Sequence, residues 1–529
     1  MKFQAFSPVG ISLPSPDPMR VCCRMKKLSL VVAFAGLFAG LFEALPAHAH
    51  ANNDHRLEQL LSLSLEELLE TTVTISTNTK QKLSKAPSVV SVINAEDIKA
   101  TGATNLVEIL QSVPGLHIRA NLFGFRPQIS LRGGAGTQSL LMVNGVPMRD
   151  LVWNTGIFWR GLPTSMIERV EIIRGPGSAL FGSDASSGVI NIITKTAGKI
   201  EQSEAGIRVG SFDTQAGWVQ HGGNWNGFDV GMTAEVSHTN GHKPFIASDG
   251  QTANDANTGT SVSYAPGDAH YGYDNEEFRF SMSQGDWRLL ADYMHKHNVE
   301  IGLTGGGVLD PASIGGDSRF NIQLQYDNAA FSKDWGLNAE LRVSHLDYTS
   351  GNGFLENPPG YKATPTGAVY TDGVINQMRA SERGMNIEFS GLYSGLKNHA
   401  IRLGGGFNWA DLYSVEQFIN KQIDPDGPII PGPILVNVSD TLYAFAPEKA
   451  RRIHYVYLQD VWKLADNWEL TAGARYDHFS DFGATLNPRL ALVWQGTDRL
   501  TTKLLYGQAF RAPSYLELYA DTAATRSNS

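Results

Sequence analysis

From about Ala205 onward, apolar and polar residues take turns along the chain. Phe228, Val230, Met232, Ala234 and Val236 alternate with Asp229, Gly231, Thr233 and Glu235. The same period of two returns at Phe278/Phe280/Met282, Trp287/Leu289/Ala291/Tyr293, Ile322/Leu324/Tyr326 and Leu337/Ala339/Leu341/Val343. It recurs at Ile401/Leu403/Phe407/Trp409, Trp468/Leu470/Ala472/Ala474/Tyr476 and Leu490/Leu492/Trp494. Successive side chains of a strand point to opposite faces, so the spacing predicts about thirteen or fourteen strands, each with one apolar and one mostly polar face. Gly285-Asp286 and Ala465-Asp466-Asn467 read as tight turns, whereas the links over 239–274, 298–317, 350–380 and 414–449 are long and polar. Such strands suit a soluble sandwich or solenoid, or a transmembrane barrel with an apolar lipid face and a polar lumen. Short turns alternating with long loops favour the barrel. Tyr293, Tyr348, Tyr393, Tyr413, Trp462, Trp468 and Trp494, near strand ends, suit its aromatic girdles.

The region before the alternation is different in kind. Ser88 to Thr196 mixes a β-branched run, a helix-like stretch from Ala95 to Val113 and short strands, the pattern of a small α+β domain. Asn94 and Thr104 are available as helix caps. Further upstream, Leu57, Leu61, Leu65 and Leu68 make a short helical stripe. Met25-Lys26-Lys27, the apolar run Leu28 to Phe42 and Ala47-His48-Ala49 read as a secretory signal cleaved after Ala49. A signal normally starts at its Met, so translation is expected to begin at Met25, with 1–24 a mis-annotated leader. The expected division is therefore 1–24 leader, 25–49 signal, 50–86 periplasmic segment, 87–196 small domain and 197–529 strands.

Composition narrows the function. Hydrophobic residues make up 42% of the 529, too many for a largely disordered chain, and no repeated runs of ~20 apolar residues mark helical spans. Both cysteines, Cys22 and Cys23, precede the signal, which leaves no disulfide framework and no cysteine metal site in the exported part. Removing 1–49 takes away five basic and two acidic residues, leaving 38 against 50. An exported acidic chain gives no electrostatic case for nucleic acid.

One stretch is specific. Ile167 to Lys195, IERVEIIRGPGSALFGSDASSGVINIITK, resembles the end of the plug domain of TonB-dependent outer-membrane receptors. Supporting segments precede it in family order: 86–93, Glu96-Asp97-Ile98, 106–110, Val113-Pro114-Gly115-Leu116, 129–133 and 141–146. Phe510-Arg511-Ala512-Pro513-Ser514 with Glu517-Leu518-Tyr519 is similar to a motif of the family's barrel. The resemblance implies an α+β plug domain inside a transmembrane antiparallel β-barrel in the outer membrane of a Gram-negative bacterium. It also implies energy-coupled import of a scarce nutrient, most readily a ferric siderophore, with cobalamin or haem as alternatives. A non-transporting surface-binding barrel is the other class. The implied partners are TonB with its inner-membrane energising complex, a metal-chelate ligand and outer-membrane lipid.

The resemblance also places candidate residues. Its coupling segment, the TonB box, falls on Glu70-Thr71-Thr72-Val73-Thr74-Ile75-Ser76, a β-prone stretch without proline that is able to extend a partner's sheet. Ligand contacts are expected from two clusters of aromatic and cationic residues, Phe123, Phe125 and Arg126, and Trp153, Trp159 and Arg160. Arg132, Glu168, Glu171 and Arg174 are expected in plug-to-barrel ion pairs, with Glu235, Glu340 or Glu388 as wall acceptors. Gly133, Gly134, Gly175, Gly177, Gly182 and Gly188 place turns where a small domain fits inside a wall. No catalytic residue, cofactor or metal is expected. His295-Lys296-His297 lacks further ligands in sequence, Gly302 to Gly307 lacks the lysine of a phosphate loop, and Asp424-Pro425-Asp426-Gly427 lacks the rest of a calcium loop.

A complete plugged transporter closes with about 22 strands, and the alternation here stops near Tyr519. Ala520 to Ser529 is small and polar. An open sheet in lipid leaves edge N–H and C=O groups unpaired, so the expectation is a C-terminally truncated, non-functional fragment.

Overall fold

The structure, a computed structural model, describes residues 72–73, 81–82, 86–119, 128–155, 162–200, 202–422, 430–441, 444–497 and 500–519. All of them fall in one compact unit, Ser64–Ser529. The signal, the leucine stripe, the Asp424–Gly427 turn and Ala520–Ser529 lie outside the described residues.

The plug is built on a mixed sheet. Its strands are β1 (Val89–Asn94), β2 (Leu116–Arg119), β3 (Gln128–Leu131), β4 (Ser139–Val143), β5 (Val146–Pro147), β6 (Ile167–Arg174) and β7 (Gly188–Thr194). The main sheet runs β1-β6-β7-β4-β5, parallel only between β7 and β4, and β2 and β3 pair apart from it. Helix α1 (Ala95–Thr101) begins on a reciprocal cap: Asp97 N–H donates to Asn94 Oδ1 at 2.8 Å and Asn94 N–H to Asp97 Oδ2 at 3.1 Å. Helix α2 (Leu106–Gln111) is capped by Asn105, not by Thr104 as expected, because Asn105 Oδ1 accepts from both Val107 and Glu108 N–H. Thr104 Oγ1 turns instead to the Glu108 carboxylate. Leu106, Ile109 and Leu110 from α2 join Leu131, Ile172 and Ile190 in a fully enclosed apolar core. Gly188 has no room for a side chain, since a Cβ there would sit 2.2 Å from the Ile173 carbonyl oxygen.

The wall is a continuous antiparallel path of thirteen strands among the described residues. In order these are β8 (Glu204–Gly210), β9 (Thr214–Trp225), β10 (Phe228–Thr239), β11 (Tyr273–Gln284), β12 (Trp287–Leu303), β13 (Leu309–Ser332) and β14 (Trp335–Thr349). They continue as β15 (Val374–Tyr393), β16 (His399–Gln422), β17 (Lys449–Ala465), β18 (Trp468–Phe479), β19 (Gly483–Thr497) and β20 (Leu500–Gly507). Each strand pairs with its sequence neighbours, and β8 and β20 are not paired with each other. Links at one end are short, as at 226–227, 285–286 and 466–467, while 240–272 and 350–373 at the other end are long.

Several links read as loops are partly strand. The stretch 298–317 is almost all ladder, with β12 running to Leu303 and β13 starting at Leu309, through register shifts at Lys296/Val299 and Glu300/Gly302. Val374 and Gln422 likewise extend β15 and β16 into the expected loops. Bulges keep pairing alive where the alternation is interrupted, so periodicity alone ends these strands too early.

The wall is inside-out relative to a soluble protein. Along β17, Tyr455, Tyr457 and Gln459 are 6%, 8% and 5% exposed, while Val456 and Leu458 between them are 57% and 52% exposed. Polar residues face the plug, and aliphatic ones face away, as lipid requires. A glycine run shapes this interior. Gly404 and Gly406 on β16 lie between β15 and β17, where a Cβ would sit 2.4 Å from Tyr457 Cζ or 2.5 Å from Tyr455 Oη. The gap lets both tyrosines cross β16 and donate to Glu388 on β15, at 2.7 and 2.8 Å.

Candidate functional site

The seam between plug and wall concentrates charge. β5 and the turn after it put Arg149, Asp150, Leu151 and Asn154 at the plug surface, and the loop after helix α3 (Ser178–Phe181) adds Ser183 and Asp184. Opposite stand Arg319 on β13, Arg342 on β14, Glu382 on β15 and Arg451 on β17. Together they enclose a cavity of about 140 Å³. Ligand pockets run to about 300–1,000 Å³, so this space suits a few waters.

Hydrogen bonds fix the seam from both sides. The Arg149 guanidinium pairs with Asp184, which also accepts from Asn154 Nδ2 at 2.7 Å and from Ala512 N–H at 3.1 Å. Burial, with Arg451 and Arg342 nearby, lowers Arg149 to about 10, so it stays cationic at neutral pH. Glu382 accepts the Leu151 N–H on both oxygens, at 3.0 and 3.1 Å. Arg319 donates to the carbonyls of Pro147 and Arg149, Arg342 to Gly145 and Arg475 to Leu180. At the plug's start, Arg489 and Lys503 donate to Pro87 and Ala86 carbonyls, each at 2.8 Å.

The Phe510–Ser514 motif belongs to the same seam. After β20 the chain turns inward, Asp184 N–H donates to the Phe510 carbonyl at 3.0 Å, and Arg451 reaches the Pro513 carbonyl at 2.9 Å. Tyr515, wholly buried, opens the short helix α4 (Tyr515–Tyr519), and its N–H donates to the Leu151 carbonyl. Above it, Trp153 stacks on Phe445 at 5.7 Å and tilts against Tyr348 at 5.5 Å, which closes the plug's long-loop side with aromatics.

The residues expected from sequence land as follows. Thr72–Val73 is extended and pairs with Gln81–Lys82, whereas Glu70, Thr71, Thr74, Ile75 and Ser76 lie outside the described residues. So do Phe123, Phe125, Arg126, Trp159 and Arg160, which leaves Trp153 as the described member of the two ligand clusters. Three of the four charged plug residues have other partners than those expected, and the fourth, Arg132, is exposed with φ 51°. Arg169 binds both Glu168 and Glu171 within β6, and Arg174 donates to Ser91 Oγ and the Pro114 carbonyl. Of the wall acceptors, Glu235 takes Ser165 and Arg208, Glu340 takes Gln323 and Arg342, and Glu388 takes the two tyrosines. Plug-to-wall adhesion instead runs largely from wall arginines and Lys503 to plug carbonyls, with Glu382 taking the Leu151 N–H and Glu235 the Ser165 hydroxyl. Arg149, Asp184, Arg319, Glu382 and Arg451 were not singled out, although Arg319, Asn321 and Gln323 alternating with Phe320, Ile322 and Leu324 carry the signal.

Comparison with known proteins agrees with this architecture. Residues 82–189 match the TonB-dependent Receptor Plug Domain, and 247–529 match the TonB dependent receptor-like beta-barrel. The chain is 25% identical over 453 residues to the vitamin B12 transporter BtuB of Vibrio vulnificus, covering 85% of this chain and 64% of that protein. It is 22% identical over 488 residues to the ferric enterobactin receptor PirA of Pseudomonas aeruginosa, covering 87% and 62%. Among solved structures, the ferric enterobactin receptor PfeA aligns with a TM-score of 0.59 at 20% identity, over 80% of this chain and 63% of that one, a likeness of fold. The chain thus spans somewhat under two thirds of the length of these relatives.

Proposed function

Since the chain belongs to the TonB-dependent receptors, a family of transport receptors and not of enzymes, we propose that it serves energy-coupled import of a ferric siderophore across the Gram-negative outer membrane. The observation that carries this reading is a plug domain packed against the polar face of the wall and held there by Arg319, Arg342 and Arg475. A passive pore has no use for a plug, and the ferric enterobactin receptors among the relatives favour an iron chelate as the cargo. Cobalamin is the second reading, favoured by the vitamin B12 transporters among the relatives. In either case 25–49 acts as the export signal and 50–86 reaches the periplasm, where Glu70 to Ser76 engages TonB and its energising complex. An extended Thr72–Val73 supports that role, since a strand adds to a partner's sheet through its free edge.

The test is uptake of radiolabelled ferric enterobactin and of cobalamin by a receptor-deleted strain carrying the chain. Proline at position 73 removes an N–H and fixes φ. Val73→Pro should abolish uptake while leaving ligand binding to whole cells intact. Uptake that survives the substitution removes the coupling assignment, and binding of neither ligand removes both substrate readings.

A further inference from the structure

A cluster at the long-loop end of β11 and β12 lies on the face turned away from the plug. Asn275 and Glu277 of β11 are buried toward the lumen, so Asp274 and Glu276 alternate onto the outer face. Glu276 is the direct cross-strand partner of His295 on β12, and Asp274 that of His297. The two imidazoles, two residues apart, stack with centroids 4.8 Å apart at 24°. One donor atom from each of Glu276, His295 and His297 lies within 4.8 Å of the others. His295 Nδ1 and Glu276 Oε2 are already 3.4 Å apart, the separation of two ligands in a tetrahedral shell with bonds of about 2.1 Å. Asp274 Oδ2 stands 3.5 Å from His297 Nε2, and Asp274 is itself held by Asn298 Nδ2 at 2.5 Å and His238 Nδ1 at 2.6 Å.

We propose that Glu276, His295 and His297 bind a divalent ion of the zinc class, with Asp274 as the positioning residue for the His297 ring. Two imidazoles and a carboxylate select borderline ions such as Zn²⁺ over Mg²⁺ or Ca²⁺, which favour all-oxygen shells. Glu276 and His295 are partly exposed and lie on the long-loop side of Tyr293, an expected girdle residue, so the fourth position is open to water or an external ligand. A carboxylate behind a ligating imidazole fixes its orientation and raises its basicity. The ion would tie β11 to β12 beside the register shift at Lys296/Val299, where the β12–β13 ladder is broken. This site is independent of the transported ligand and of the seam.

Zn²⁺ titration calorimetry and Co²⁺ absorption on the full chain in detergent micelles test it. The unaltered chain should take up about one equivalent and give a visible Co²⁺ band. His295→Ala/His297→Ala should lose both, while His345→Ala, which removes another outer-face histidine paired with Asp347 at 2.8 Å, should keep both. Glu276→Gln preserves side-chain shape and should weaken Zn²⁺ by at least about 10-fold with an unchanged β-sheet circular-dichroism spectrum. Asp274→Asn should weaken Zn²⁺ by about 10–100-fold and shift the Co²⁺ band at retained stoichiometry, with Asp274→Glu restoring it. No stoichiometric uptake by the unaltered chain, or uptake unaffected by the double substitution or by Glu276→Gln, overturns the site.

Discussion

Leu110 in the plug and Leu458 in the wall are the same side chain put to opposite uses. Leu110 is wholly buried in a core with Leu131, Ile172 and Ile190, whereas Leu458 is 52% exposed and its neighbour Gln459 is the one enclosed. The plug follows the rule for water, apolar inside, and the wall follows the rule for lipid, apolar outside. Where they meet, both kinds of contact are used: Val152 and Trp153 pack against Leu346, Tyr348 and Tyr515 toward the long-loop side, and the rest of the seam is held by ions and hydrogen bonds. Such contacts contribute little in water but are costly to break when buried.

Three substitutions probe this contrast. The largest effect is expected at the seam. Asp184→Ala removes the counter-charge of Arg149, which keeps only Ser183 Oγ, and the acceptor of Ala512 N–H across the seam, and should cost about 3–5 kcal/mol. It should show as protease cleavage within the plug while the β-sheet circular-dichroism signal of the wall is kept, and full protection would argue that the seam does not hold the plug. Next, Leu458→Arg places a charge near the middle of the lipid-facing side of β17 and should destabilise the wall by about 2–4 kcal/mol in urea unfolding from liposomes. An unchanged midpoint would mean that this face does not meet lipid. The smallest effect is local to the plug: Asn94→Ala removes the α1 cap and should cost about 1 kcal/mol, read as faster hydrogen exchange at the first amides of α1.

The wall's strands were legible because their period of two is fixed by backbone geometry, whatever the solvent outside. Their ends were not. From Asn298 to Gly302 the composition reads as loop, yet paired strand persists to Leu303, leaving only 304–308 as the turn, because cross-strand neighbours satisfy the backbone. The plug's helices were legible from Asn94 and the apolar spacing, but the choice of Asn105 over Thr104 as a cap depends on which side chain reaches Val107 N–H. Ion-pair partners were least legible. Glu171 and Arg174 lie on one strand, and nothing in their order shows that Arg169 turns back to Glu171 while Arg174 turns to Ser91. The His295 and Glu276 pairing likewise needs the register of β11 against β12, which sequence spacing does not supply.

The seam's hydrogen bonds have an uneven genetic address. Arg319, Arg342, Arg475 and Arg489 donate to the carbonyls of Pro147, Arg149, Gly145, Leu180 and Pro87, and every residue type carries a carbonyl. Codons for those acceptor positions can therefore drift without erasing the bond, provided the backbone path is kept. Each arginine, by contrast, is the whole of the encoded half. Divergence between relatives should accordingly fall on the plug side of these contacts, while the guanidinium side changes only when the pairing itself is abandoned.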